Sequence, residues 1–220
     1  YNTVVGDEAG TAITTGDGNV FTGYASGDAL TLGSSNTAIG RDSLGADTRG
    51  NHSVAIGRNA LTTQNFTSAT DAYNTAVGSS AGAAITTGTF NTLIGGLSGD
   101  GATTASYSTA LGYGSLGGAM TGEGNVALGV NTLLVATSAH SNTAVGTSAM
   151  SSATTGTNNV AVGRNALDAN TTASYNTALG YASLGANTTG QQNVAIGGDA
   201  LDANTTGGDN VAVGTSALGA

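Results

Sequence analysis

Two aspartates are the side chains of this sequence whose spacing comes closest to that of a catalytic pair. Asp168 and Asp202 occupy the same position two repeats apart in a chain that repeats every 17 residues. If each repeat forms one coil, their separation is about 10 Å, whereas inverting glycosidases hold their carboxylates roughly 6.5–9.5 Å apart. Gly185 fills the position between them, and no aromatic platform accompanies the pair. We therefore interpret both as solvated surface charges.

The two histidines are the other candidates for chemistry. His52 and His140 each stand just before a predicted strand, but in distant repeats, so one chain cannot bring both to one metal ion. A metal ion would need the same histidine from three chains, grouped around the axis of a trimer. The sequence has no cysteine and no calcium-binding Gly-Gly-x-Gly-x-Asp nonapeptide. We therefore expect no catalytic, cofactor or metal site and no enzymatic activity.

The repeat is the feature that organises the sequence. Near-copies of residues 159–163, Asn-Val-Ala-Val-Gly, recur at a step of 17 residues, with one step of 21. Short internal repeats of fixed period predict a solenoid, in which each repeat buries its apolar face against its neighbours. The 13 copies start at Asn2, Asn19, Asn36, Ser53, Asn74, Asn91, Ser108, Asn125, Asn142, Asn159, Asn176, Asn193 and Asn210.

Numbered from these starts, the first five positions of each repeat have nearly fixed residue types. Position 2 is always Thr or Val, position 3 is Ala in 10 copies, and position 4 is Val, Ile or Leu in 12. Position 1 is asparagine at Asn2, Asn19, Asn36, Asn74, Asn91, Asn125, Asn142, Asn159, Asn176, Asn193 and Asn210. Position 5 is glycine throughout, at Gly6, Gly23, Gly40, Gly57, Gly78, Gly95, Gly112, Gly129, Gly146, Gly163, Gly180, Gly197 and Gly214.

This pattern predicts a short strand of about four residues between two corners. Alternation places positions 2 and 4 on one face of the strand and the position 3 alanine on the other. An unvarying glycine after the strand indicates a corner that needs positive φ or close approach of the backbone. The asparagine column predicts a ladder of stacked amides that bond from coil to coil.

The second half of each repeat predicts a narrow core and a polar closing turn. Position 9 is Leu or Met in nine repeats and Gly in four, at Gly10, Gly27, Gly82 and Gly99. In three of these four, an aliphatic residue follows three positions later, at Ile13, Leu30 and Ile85. The exchange of volume indicates that both positions face one interior. Thr-Thr-Gly-like segments then close the coil.

Together these features predict an all-β parallel solenoid without helices, a single segment over residues 1–220. Stacking 13 coils would give a rod about 60 Å long. The one long repeat, from Ser53 to Tyr73, carries four extra residues within residues 62–71. Insertions in solenoids form surface loops, so Asn65 and Phe66 are candidate contact residues. The alternative is a loop packed along the surface without a partner.

Composition excludes several kinds of partner. The net charge is −9, with four arginines and no lysine, whereas nucleic acids and anionic membranes require a basic face. No run of 18 apolar residues is present, so we expect no membrane insertion. The chain opens within a repeat and without Met, from which we expect a segment of something longer.

Residues 51–57, Asn-His-Ser-Val-Ala-Ile-Gly, resemble the head repeats of trimeric autotransporter adhesins, which form a parallel β-roll. Residues 175–190, from Tyr175 through Thr188-Thr189-Gly190, resemble repeats of bacteriophage tail-fibre proteins even more closely. The resemblance covers the whole chain. It implies a homotrimeric, extracellular fibre segment, on a virion or a cell surface, that reaches toward a surface glycan or receptor.

The sequence leaves some choices open. If positions 2 and 4 point inward, the alanine column forms a flat outer strip suited to another chain; if they point outward, the apolar columns need a partner more strongly. Corner aromatics such as Tyr107 and Tyr175 stack on sugars or, as we prefer, cover the core or a chain interface. An ice-binding or self-assembling extracellular solenoid is the alternative function. Asn-x-Ser/Thr triplets begin at Asn51, Asn65, Asn170, Asn187 and Asn204.

Overall fold

The computed structural model describes residues 1–219 and shows an all-β chain built from stacked parallel coils. Over these residues it contains no helix, so none could span a membrane. The chain divides into two compact units, Tyr1–Ser108 and a second that begins at Thr109. Each unit is a parallel β-solenoid with a turn of about 17 residues, as the repeat predicts.

In the first unit, one strand of each coil pairs in parallel with the strand of the next coil. Thr3 pairs with Val20 and Val20 with Thr37, so each step advances the register by one repeat. The strands are β1 (Thr3–Val5), β2 (Val20–Thr22), β3 (Thr37–Ile39), β5 (Val54–Ile56), β7 (Thr75–Val77) and β8 (Thr92–Ile94). A second, two-stranded sheet pairs β4 (Gly50–Asn51) with β6 (Thr70–Asp71).

The second unit repeats the same arrangement without an insertion. Its strands are three residues long and pair in parallel in chain order. They are β9 (Thr109–Leu111), β10 (Val126–Leu128), β11 (Thr143–Val145), β12 (Val160–Val162), β13 (Thr177–Leu179), β14 (Val194–Ile196) and β15 (Val211–Val213).

The middle residue of each strand faces the interior, and its two neighbours face outward. Ala144 and Ala161 are fully buried, whereas Leu111 and Leu179 are nearly half exposed. Of the two orientations that the sequence left open, the structure therefore has the one with the β-branched columns outside. The interior is too narrow for two branched columns because the position 9 side chains, such as Leu133 and Leu167, already fill it.

Core volume is conserved within a coil by exchange between positions. Where Phe21 replaces the usual alanine, Gly27 makes room, since a Cβ there would lie 2.6 Å from the ring. Leu93 has the same relation to Gly99, where a Cβ would lie 2.8 Å from a Leu93 methyl. The predicted exchange with Ile13, Leu30 and Ile85 is also present: Leu30 and Ile85 are fully buried, and Ile13 Cδ1 lies 3.0 Å from the Cβ that Gly10 lacks.

Several corners of each coil use left-handed backbone, and most of these residues are not glycine. Leu167 at position 9 has φ 51°, and Asn165 at position 7 has φ 58°. The same positions are left-handed in nearly every coil, although this conformation costs an L-residue roughly 1–2 kcal/mol. Packing of the buried leucines offsets that cost, which is why sequence propensity alone does not reveal these corners.

Candidate functional site

The surface with the clearest functional potential is the outward face of the sheet in each unit, formed by positions 2 and 4 of the coils. We call it the outer face. It carries no charged residue. In the second unit it consists of Thr109, Val126, Thr143, Val160, Thr177, Val194 and Val211 in one column and Leu111, Leu128, Val145, Val162, Leu179, Ile196 and Val213 in the other. In the first unit it consists of Thr3, Val20, Thr37, Val54, Thr75 and Thr92 beside Val5, Thr22, Ile39, Ile56, Val77 and Ile94.

The size of the outer face can be derived from sheet geometry. Seven strands spaced at about 4.8 Å make the face of the second unit roughly 30 Å long, and two residue columns make it about 13 Å wide. Its area is therefore about 400 Å², within the range of the largest apolar patches on soluble monomers, about 300–600 Å². The largest patch on a monomer is often functional.

The glycine corner allows close contact between the backbones of neighbouring coils. Gly163 has φ 142°, and a Cβ on it would lie 2.2 Å from the carbonyl oxygen of Gly180 in the next coil. The other position 5 glycines have φ between 126° and 145°. Both physical reasons that the sequence suggested, positive φ and close approach, apply here at once.

The position 1 asparagines lie inside the coils and bond from coil to coil. Asn176 is fully buried; its backbone N–H donates to Asn159 Oδ1 at 2.9 Å, and its Nδ2 donates to the Gly190 carbonyl at 2.9 Å. The next coil repeats this pattern, since the Asn193 N–H donates to Asn176 Oδ1 at 3.0 Å. Each side chain thus satisfies backbone groups of two coils, which is a structural role.

In four consecutive coils of the first unit, the corner before the strand carries an aromatic ring, and these rings stack on one another. We call it the aromatic ladder; it consists of His52, Tyr73, Phe90 and Tyr107. Adjacent ring centroids are 4.9, 5.5 and 5.1 Å apart with interplanar angles of 5°, 23° and 4°. Because the ring faces cover one another, the ladder presents ring edges to solvent. This geometry disfavours sugar stacking along the ladder.

Tyr175 occupies the same corner in the second unit without a ring beside it. The neighbouring coils place Asn158 and Gln192 there, and Tyr175 is 60% exposed. Tyr181, at the other end of the same strand, is also exposed. Corner aromatics therefore differ in environment, and only those in consecutive coils form a ladder.

The insertion is held by a buried polar network that the sequence did not reveal. Asp47 is fully buried; it accepts hydrogen bonds from the backbone N–H of Gly50 at 2.9 Å and from Gln64 Nε2 at 2.6 Å. Gln64 in turn accepts a hydrogen bond from Asn74 Nδ2 at 2.9 Å. The sequence did contain a signal: two adjacent repeats have a polar residue at position 12, Asp47 and Gln64, where the repeats on either side have the aliphatic residues Leu30 and Ile85.

The structure corrects the interpretation of Phe66 as a surface contact. Its ring is 5% exposed and lies against Gly50. Asn65, its neighbour, is exposed as expected. The insertion begins after Asn65 and ends before Ala72, whose N–H donates to the Asn51 carbonyl at 3.0 Å. Within it, residues 67–69 and Asp71 are exposed.

The residues considered for chemistry make local contacts and are not brought together. Ser151 Oγ donates a hydrogen bond to Asp168, and Gly185 separates Asp168 from Asp202 along the stack. His52 stacks on Tyr73, with its Nε2 3.8 Å from Asp71, while His140 Nδ1 accepts the backbone N–H of Glu123 at 3.1 Å. Across residues 1–219, no three acidic or histidine side chains are grouped for a metal ion.

Carboxylates on the corners of the first unit perturb one another. Burial raises the pKa of Asp28, and nearby acidic groups add to the effect. A hydrogen bond to the Glu8 carboxylate, followed by repulsion from that charge, raises the pKa of Tyr24. The Arg41 guanidinium carbon lies 5.8 Å from the centroid of the same ring. These contacts are local surface electrostatics and bring no nucleophile to a base.

Comparison with known proteins does not narrow the function. No protein-family model, curated protein or solved structure matches the chain. Among the surfaces described above, the outer face is uncharged and has regular geometry.

Proposed function

We propose that this chain is a structural and adhesive fibre segment, assembled as a homotrimer on a virion fibre or a cell surface. The observation that carries the proposal is the outer face, where branched aliphatic side chains form an uncharged, regular and solvent-exposed strip. Exposed apolar strips of this size lower their free energy when another chain covers them.

Area supports a second copy as the partner. Each unit contributes an outer face of roughly 400 Å² per chain, and a standard interface buries roughly 800 Å² per partner. In a homotrimer each chain contacts two neighbours through different surfaces, so the two columns of the outer face would each meet a different neighbour. The resemblance to adhesin heads and tail-fibre repeats favours three chains. The corners of the coils and residues 67–69 would then contact a surface glycan or receptor.

Native mass in solution tests the proposal. We expect about 63 kDa by light scattering, three times the chain mass of 21.0 kDa. Leu179→Glu places a charge on the outer face and should yield single chains, because burying an unpaired carboxylate is strongly unfavourable. Thr189→Glu adds the same charge on an exposed turn outside the outer face and should leave the trimer intact. A mass of 21.0 kDa for the unaltered chain at high concentration would overturn the proposal.

A second candidate, an ice-binding solenoid, is favoured by the regularity of the same face. Small side chains repeat along it at about 4.8 Å, and threonine alternates with valine through Thr109, Val126, Thr143 and Val160. Thermal hysteresis of the isolated chain tests this function. Thermal hysteresis that is lost in the Thr143→Tyr variant would support ice binding. A trimer that shows no thermal hysteresis would support the fibre segment instead.

A further inference from the structure

Five Asn-x-Ser/Thr triplets in this chain could accept an N-linked glycan by sequence alone, and the structure separates them. Glycan transfer requires an asparagine whose Nδ2 is free to attack and a third residue whose hydroxyl the transferase can reach. The deciding quantities are therefore the exposure of the triplet and the hydrogen bonds of Nδ2.

Four of the five asparagines already use Nδ2 inside the fold. Asn51 Nδ2 donates to Asp71 Oδ1 at 3.0 Å, and Ser53, the third residue of its triplet, is fully buried. Asn170 and Asn187 are themselves fully buried, with Nδ2 donating to carbonyl oxygens of their own coils. Asn204 Nδ2 donates to the Gly207 carbonyl at 3.0 Å. A glycan on any of these would require the coil to open.

Asn65 differs in each respect. It is exposed, and its Oδ1 accepts the Thr48 hydroxyl at 3.0 Å while Nδ2 has no partner among the described residues. Its backbone N–H donates to the Thr86 carbonyl at 2.9 Å, so the main chain is held while the amide nitrogen stays free. Thr67 is exposed as well, at the start of the insertion.

We propose that Asn65 is the N-glycosylation site of the folded chain. The donor is an oligosaccharide linked to a polyprenyl diphosphate. Asn65 Nδ2 attacks the anomeric carbon, the bond from that carbon to the diphosphate oxygen breaks, and the Nδ2 proton passes to a base of the transferase. This proposal rests on the proposed function in one respect: an extracellular protein passes a compartment that contains such a transferase.

Transfer to the purified, folded full-length chain by an oligosaccharyltransferase with a lipid-linked oligosaccharide tests the site. Glycopeptide mass spectrometry should find occupancy at Asn65 at least about tenfold above any other triplet, because the others must first break internal hydrogen bonds. Asn65→Gln and Thr67→Val should each abolish the modification. Thr206→Val removes an exposed hydroxyl from the Asn204 triplet and should change nothing.

Absence of transfer to the folded chain, or dominant transfer to Asn170, Asn187 or Asn204, would overturn the site. A peptide of residues 60–72 serves as the reference. If the peptide is modified and the folded chain is not, the fold makes Asn65 inaccessible to the transferase and the proposal is wrong. Light scattering on the same samples keeps the two proposals apart. A glycosylated single chain refutes only the fibre, and an unmodified trimer refutes only the glycan site.

Discussion

Replacing Gly163 by alanine is the sharpest test of how the coils pack. Gly163 follows strand β12 and has φ 142°, a conformation essentially restricted to glycine. Its missing Cβ would lie 2.2 Å from the Gly180 carbonyl oxygen and 2.6 Å from the carbonyl carbon. Both atoms belong to the backbone, so no side chain can rotate away to relieve the contact.

The cost follows from these two effects. Forcing an L-residue into this region costs about 1–3 kcal/mol, and moving the neighbouring coil to relieve the clash costs roughly another 1–3 kcal/mol. We therefore expect a local destabilisation of about 4 kcal/mol at the contact between these two coils. Gly163→Val should cost more, since a branched Cβ adds a second methyl group at the same place.

Native-state hydrogen exchange is the suitable assay, because solenoids open locally and do not have one global unfolding free energy. The reporter is the amide of Gly180, which donates to the Val162 carbonyl at 2.8 Å. Its exchange should accelerate about a thousandfold in the variant, as a local loss of about 4 kcal/mol requires. Unchanged exchange at Gly180 would refute the packing argument.

Gly198 supplies the matched control in the same unit. Its φ is outside the left-handed region, and a Cβ on it would meet no atom within 4 Å. Gly198→Ala should therefore change stability by less than about 1 kcal/mol, with a small gain from the stiffer unfolded chain. Equal effects at both glycines would mean that alanine destabilises for a reason other than corner geometry.

Three further changes test other parts of the fold. Asn176→Ala should cost about 1–3 kcal/mol, because it leaves the buried Asn193 backbone N–H without its acceptor and removes one of the two amide donors to the Gly190 carbonyl; unchanged stability in urea unfolding would show that the asparagine ladder does not stabilise the fold. Ala182→Gly, at φ 49°, should raise stability by about 0.5–1 kcal/mol, seen as a higher urea midpoint. Burial raises the pKa of Asp100 above its ordinary 3.8, so its ionised form weakens the folded chain as pH rises through that raised pKa. Asp100→Asn should therefore raise the melting temperature at pH 7, with the gap closing below pH 3.8; a gap independent of pH would contradict the burial effect.

Much of the architecture could be predicted because the chain repeats its own physical requirements. The period, the parallel register and the short strand all follow from the Thr/Val-Ala-Val/Ile-Gly columns, and the register of β11 against β12 has the predicted step. Position 9 glycines also indicated where the core exchanges volume. These signals are local and recur in every coil, so a single sequence was enough to expose them.

The parts that could not be predicted depend on tertiary packing. Alternation places Ala161 opposite Val160 and Val162 but does not say which side is inside. Phe66 sits in an insertion with no second copy to compare, and only the space beside Gly50 places its ring in the core. Leucine is an unfavourable residue for left-handed backbone, so Leu167 at φ 51° is likewise determined by the coil around it.

The orientation of the strands bears directly on assembly. The interior of each coil is filled by the strand alanine, the position 9 side chain and the asparagine ladder, and the apolar residues of positions 2 and 4 take no part in it. Leu179 is therefore nearly half exposed and Val162 partly exposed, although the interior of the coil does not need them to be apolar. Threonine at those positions would satisfy the same strand geometry, as Thr22 does in β2. Apolar residues that a lone solenoid does not need are best explained by a surface that another chain covers, which is the basis for proposing a fibre.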